Sequence, residues 1–173
     1  MVRPWINGDM PPPPEDIQLT PWDLRLLTLG YMQKGILLPK PPVSNGERLV
    51  DTLASSLSQA LGWYYHFAGR LAVGAHGDGN ITIPLRCTGE GAKLVHAAAP
   101  AVAVTIAGSL YTPSSVLSEF FPFNGVLNVD ASMDPPLPVL SAQVTELADG
   151  VFVAMSMNHS VGNGTIFWEL FNA

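Results

Sequence analysis

The clearest periodic stretch of the chain lies between residues 49 and 61. Leu49, Val50, Leu53, Leu57, Ala60 and Leu61 recur at spacings of three and four, with Asp51, Ser55, Ser58 and Gln59 between them. That spacing puts the apolar side chains on one face of a helix, which ends near Gly62. A second, shorter helix is predicted at Thr20-Pro21-Trp22-Asp23, with Thr20 as N-cap, Pro21 in the first position and Asp23 closing a capping-box-like turn. Gly30 and Gly35 interrupt the segment beyond it, and Pro39, Pro41 and Pro42 end that segment.

The period then changes to two. Ile81, Ile83 and Leu85 alternate with Thr82, Pro84 and Arg86, as in a half-buried strand, and Pro84 puts it at an edge or a bulge. The glycine-heavy run Gly74 to Asn80 reads as the hairpin connection between Leu71–Val73 and that strand. Two further strands are predicted over Val139–Glu146 and Val151–Asn158, joined by Leu147-Ala148-Asp149-Gly150. Asp-Gly is a strong hairpin signal, and the scarcity of charges places both strands centrally in a sheet. Helices mixed with antiparallel hairpins imply an α+β domain with helices packed on a mixed sheet. Residues 1–18, with Pro11 to Pro14 in a row, read as an extended Pro-rich arm, and 19–173 as the folded domain.

Composition narrows the function. The 173 residues are 47% hydrophobic and 13% charged, enough for one domain with a real core. A formal charge of −6 argues against nucleic acid or an anionic membrane as partner, since both require a positive field. The opening residues lack an apolar signal-like run, and Pro100 and Pro113 interrupt the longest uncharged stretch, so a cytoplasmic, non-membrane chain is expected. A single cysteine, Cys87, excludes an internal disulfide and reads as a small buried apolar residue.

The candidate chemistry sits after the last predicted strand, in Met157-Asn158-His159-Ser160-Val161-Gly162-Asn163-Gly164-Thr165. A histidine at a strand end, followed by small residues that admit a substrate, is well placed to act as a base; a hydrogen-bonded turn histidine is the alternative. His66 and His96 lie beside apolar segments without acidic neighbours in sequence and read as core residues, and His76 in the glycine loop as solvated. The four histidines show no metal-ligand spacing, so no metal is expected.

His159 to Gly164 (HSVGNG) with Thr165 to Trp168 resembles the H-x-x-x-D-G segment of the BAHD family of plant acyl-CoA-dependent acyltransferases. LTPWDL at 19–24, YMQKG at 31–35, FAGRL at 67–71 and QVTELADGVF at 143–152 are similar to the N-terminal half of that family, in the same order. The resemblance implies a chloramphenicol-acetyltransferase-like domain, the first of two, with His159 as general base. The base would deprotonate a hydroxyl or amine of a small specialised metabolite as it attacks the acyl-CoA co-substrate. It also implies that Tyr31, Gln33 and Gly35 line the acceptor side.

The sequence departs from the family in two ways. Asn163 stands where the motif has aspartate, so a structural ion pair with an arginine would become a neutral hydrogen bond; as the N-cap of a helix over Ile166, Phe167, Leu170 and Phe171, asparagine serves as well as aspartate. The chain also stops inside that helical pattern, whereas the family continues into a C-terminal domain with a D-F-G-W-G segment and much of the CoA site. The expectation is therefore an incomplete half of an acyltransferase. The alternative is a catalytically inactive remnant that binds a small molecule or a partner.

Overall fold

The computed structural model describes residues 1–5, 16–39, 46–77, 79–104 and 114–173. In chain order the elements are α1 (Pro21–Leu24), β1 (Met32–Pro39), α2 (Gly46–Trp63), β2 (Arg70–Leu71), β3 (Gly74–Ala75), β4 (Ile81–Thr82), β5 (Leu85–Arg86) and β6 (Lys93–Ala99). They continue with α3 (Ser114–Ser118), β7 (Leu140–Leu147), β8 (Gly150–Met157) and α4 (Gly164–Asn172). Four strands form one sheet in the order β1-β8-β7-β6; β6 runs parallel to β7, and the other two pairings are antiparallel.

The Asp149-Gly150 hairpin joins the two central strands, as expected. Both are buried along almost their whole length, and their period-two alternation feeds two apolar clusters. Leu140, Ala142, Met155 and Met157 join Leu57 and Leu61 of α2 and Phe167 and Leu170 of α4, whereas Leu147, Phe152 and Ala154 pack with Phe120 just after α3. α1 carries the predicted capping box: Thr20 Oγ1 accepts from the Asp23 amide, and Asp23 Oδ2 accepts from the Thr20 amide at 2.8 Å.

Several segments differ from their sequence-based expectation. Gly35 does not interrupt a helix but lies in β1, opposite Ala154, where a Cβ would collide with the Phe152 ring; the glycine makes room for an aromatic on the neighbouring strand. The alternating run 81–86 is broken at Ile83-Pro84 into β4 and β5, which pair with β3 and β2 respectively. Cys87, just past β5, is half-buried rather than buried, and partial burial pushes its thiol pKa up. His96 has an acidic partner after all: parallel pairing sets its Nε2 at 2.7 Å from Glu146 Oε1 on β7.

Ordered backbone also begins before Leu19. Val2 exchanges two amide bonds with Ala92, the Trp5 amide reaches Ser58 O at 2.9 Å, and Ile17 pairs with Leu85. Val2 lies so close to Gly91 (φ +98°) that any Cβ there would overlap its carbonyl. Pro11 to Pro14, Pro41 and Pro42 fall outside the described residues. Among the described residues no helix is long and apolar enough to cross a membrane.

Candidate functional site

β8 delivers its last residue, Met157, fully buried, and the ladder runs one step further through the Asn158 amide to Val139 O at 2.8 Å. The chain then turns on a buried carboxamide. Asn158 Oδ1 accepts from the Ser160 amide (3.1 Å) and the Ser160 hydroxyl (2.6 Å), and Asn158 Nδ2 donates to Asn128 O at 2.8 Å. A second buried carboxamide answers it from the 3-10 turn Asn128–Ser132. Asn128 Oδ1 accepts from the His159 amide at 3.0 Å, while its Nδ2 donates to Leu26 O at 2.8 Å. Both asparagines are fully buried, and among the described residues no buried side-chain nitrogen or oxygen lacks a partner. The His159 backbone is thus clamped between two satisfied carboxamides, which fixes where its side chain starts.

The half-buried ring of His159 is fixed by a third bond, its Nδ1 lying 3.0 Å from Gly162 O. A carbonyl oxygen only accepts, so the bond requires the proton on Nδ1 and leaves the lone pair of the neutral imidazole on Nε2. Gly162 is closely packed: a Cβ there would meet Met157 Sδ at 2.7 Å, Ile166 at 3.0 Å and Phe67 at 3.1 Å. No Asp or Glu side chain among the described residues bonds the ring. The oriented Nε2 is suited to take a proton from a neutral donor.

Nε2 has somewhere for such a donor to sit. His159 lines a cavity of about 320 Å³ whose other polar groups are His66, Asp23, Ser160 and Asn163. Leu19, Leu26, Leu85 and Val161 supply apolar wall. His66, read from sequence as a core residue, is a half-buried wall residue of this cavity, and burial lowers its pKa below the usual histidine value. A separate cavity of about 180 Å³ lies over the sheet between α2 and α4, lined by Leu49, Leu53, Met155, Leu170 and Phe171 among others. Its lining holds no titratable side chain, so it offers no proton-transfer chemistry.

Asn163 is the N-cap of α4: its Oδ1 accepts from the Thr165 amide at 3.0 Å and the Ile166 amide at 3.1 Å. Gly164, the next motif position, has open space where a Cβ would stand. The three residues assigned by resemblance to the acceptor side lie apart from the His159 cavity. Tyr31 is 6% exposed, its hydroxyl donates to Pro138 O at 2.9 Å, and burial pushes its pKa up to about 12. Half-buried Gln33 donates through Nε2 to Pro122 O and Ser156 Oγ, both at 3.3 Å, and Gly35 lies under the Phe152 ring. Sequence reasoning missed Asn128 and His66. Nothing local marks Asn128, and the only sign at His66 is a polar ring inside the aromatic run Tyr64–Phe67.

Comparison with known proteins identifies the family and the fold. The Transferase family matches the chain over residues 1–173. An uncharacterised acetyltransferase of Arabidopsis thaliana is 40% identical over 162 residues, covering 91% of this chain and 35% of the relative. The BAHD acyltransferase DCR of the same plant is 28% identical over 170 residues, covering 92% and 34%. Among solved structures, F. graminearum TRI101 in complex with coenzyme A and T-2 mycotoxin superposes with a TM-score of 0.62 at 18% identity, covering 84% of this chain and 35% of that one. That likeness establishes a shared chloramphenicol-acetyltransferase-like fold. The chain spans about a third of the length of the curated relatives it matches. With a family match from the first residue to the last, and acyltransferases among its relatives, this chain belongs to the Transferase family, the BAHD acyltransferases.

Proposed function

We propose that this chain is the histidine-bearing part of an acyltransferase that moves an acyl group from acyl-CoA to a hydroxyl or amine of a small metabolite. The observation that carries the reading is the ring of His159 at the cavity wall, held through Nδ1–H on Gly162 O so that the lone pair of the neutral imidazole is on Nε2. Nε2 takes the proton of the acceptor group as its oxygen or nitrogen attacks the thioester carbonyl. The tetrahedral intermediate collapses with rupture of the C–S bond, and the imidazolium returns the proton to the departing thiolate. The products are an ester or amide and free CoA. The step requires the imidazole in its neutral form, the form that carries the Nε2 lone pair.

Coenzyme A in the TRI101 complex supports acyl-CoA as co-substrate, and the length of the relatives supports a further domain that completes the CoA site. Asn163 fits an active enzyme because capping α4 needs an acceptor oxygen rather than a charge. Tyr31, Gln33 and Gly35, which the resemblance assigns to the acceptor side, do not line the His159 cavity and carry no part of this reading.

The test is thiol release from acetyl-CoA by the enzyme expressed with its full reading frame. His159→Ala is expected to lower kcat by about 10²–10⁴-fold. A rate within twofold of the parent would leave the binding-module alternative standing, since that reading predicts unchanged ligand binding and no role for the base.

A further inference from the structure

The cavity beside His159 contains a second imidazole with a different attachment. His66 belongs to the 3-10 turn Tyr65–Ala68 just after α2, and its ring is held by tilted and edge-on contacts with its aromatic neighbours. The Phe67 ring lies against it at 4.1 Å between centroids, and Tyr65 meets it edge-on at 5.7 Å. These contacts set the plane of the imidazole without engaging its nitrogens, neither of which has a hydrogen-bond partner among the described residues. In His159, by contrast, Nδ1 is bonded to Gly162. Burial keeps His66 neutral at pH 7, so it presents one N–H donor and one lone pair.

The third group is Asp23. Its Oδ2 accepts both from the Thr20 amide at 2.8 Å and from the Thr20 hydroxyl at 2.7 Å, while Oδ1 has no partner among the described residues. The cavity has a mixed wall, with apolar side chains from Ile17, Leu19, Leu26, Leu85 and Val161 and, among its polar groups, two imidazoles and one carboxylate. A ligand anion would be repelled by that carboxylate and by a chain of net charge −6, whereas hydroxyls and amines would be welcome at all three groups.

We propose that His66 is a second substrate-contacting, specificity-determining residue, and that the cavity takes a non-anionic molecule with an apolar body and two hydroxyl or amine groups, one bonded to His159 Nε2 and the other to His66. Calling this molecule the acyl acceptor rests on the acyltransferase reading; its binding does not.

The test is an NMR titration of the enzyme expressed with its full reading frame and labelled histidine rings, using three probes that share one aromatic body. Tyrosol has two hydroxyls, phenethyl alcohol has one, and para-hydroxyphenylacetate has one hydroxyl and a carboxylate. Tyrosol should move the ring signals of both His66 and His159 and bind about five- to tenfold more tightly than phenethyl alcohol, the yield of one further hydrogen bond. The anionic probe should bind more weakly than tyrosol. His66→Phe keeps an aromatic ring and removes the nitrogens; it should bring the two alcohols within twofold of each other while His159 still responds. His66→Gln, which retains a donor and an acceptor, should keep part of the preference.

Equal binding of the two alcohols by the parent would overturn the proposal. So would tightest binding of the anion, an unchanged preference in His66→Phe, or no response from either ring up to about 20 mM, well above the Kd expected for a ligand of this size. Failure of the acyltransferase reading looks different: thiol release by the parent would then stay at the uncatalysed level and be unchanged by His159→Ala, while the selectivity set by His66 remained.

Discussion

The turn that carries His159 has two halves built on different principles. On its entry side, buried Asn158 and the His159 amide are both tied to Asn128, which in turn reaches Leu26; Asn128 is remote in sequence and itself fully buried. On its exit side, the bonds are local: Nδ1 of His159 to Gly162 O three residues on, and Asn163 Oδ1 accepting from the Thr165 and Ile166 amides of α4. The exit side, with His159, Asn163 and Gly164, is the part that can be recognised as a motif. The entry side holds that motif in place. A buried carboxamide that loses its partners exposes desolvated groups, whereas a solvent-exposed cap is partly replaced by water.

This contrast predicts an ordering of stability losses, measured as urea midpoints at constant slope. The largest belongs to Asn128→Ala, which leaves the His159 amide without a partner and takes from Leu26 O one of its two donors, the Leu29 amide remaining; about 2–3 kcal/mol is expected. Asn163→Ala removes one oxygen that serves two amides at an exposed helix start and should cost about 1 kcal/mol. Asn163→Asp should retain the cap and gain a few tenths from the helix dipole, so a loss similar to that of Ala would contradict the capping role. Gly164→Ala should change stability by less than about 0.5 kcal/mol in either direction, because nothing occupies the space its Cβ would enter. If Asn163→Ala proves as costly as Asn128→Ala, the two halves are not different in kind.

The features legible in the sequence share the locality of the exit side. α2 comes from the 3.6-residue period of Leu49 to Leu61, α1 from Thr20, Pro21 and Asp23 within four residues, and the β7–β8 hairpin from Asp149-Gly150. The cap at Asn163 is readable for the same reason. β1 escapes a linear reading because Gly35 breaks a helical pattern locally, while its purpose lies in Phe152 on another strand. β6 escapes it because its partner, β7, is parallel and reached only through a long crossover. His96 with Glu146, His66 in the His159 cavity, and Val2 with Ala92 are likewise contacts between segments that no local pattern joins. Family resemblance bridges that gap at His159, whose surroundings it implies as a whole. It gives no equivalent help at Asn128.

The pairing of β1 with β8 has a consequence for how the protein is made. β1 leaves the ribosome roughly a hundred residues before β8 does, and all eight of its residues find their partners there. At about 5–20 residues per second, it waits some 5–20 s with its ladder amides and carbonyls unpaired. Sheet closure and delivery of His159 to its clamp draw on the same late stretch of chain, residues 150 to 160. Until that stretch emerges, the nascent protein has neither a closed sheet nor a placed histidine, and β1 is the segment on which a chaperone would have most to hold.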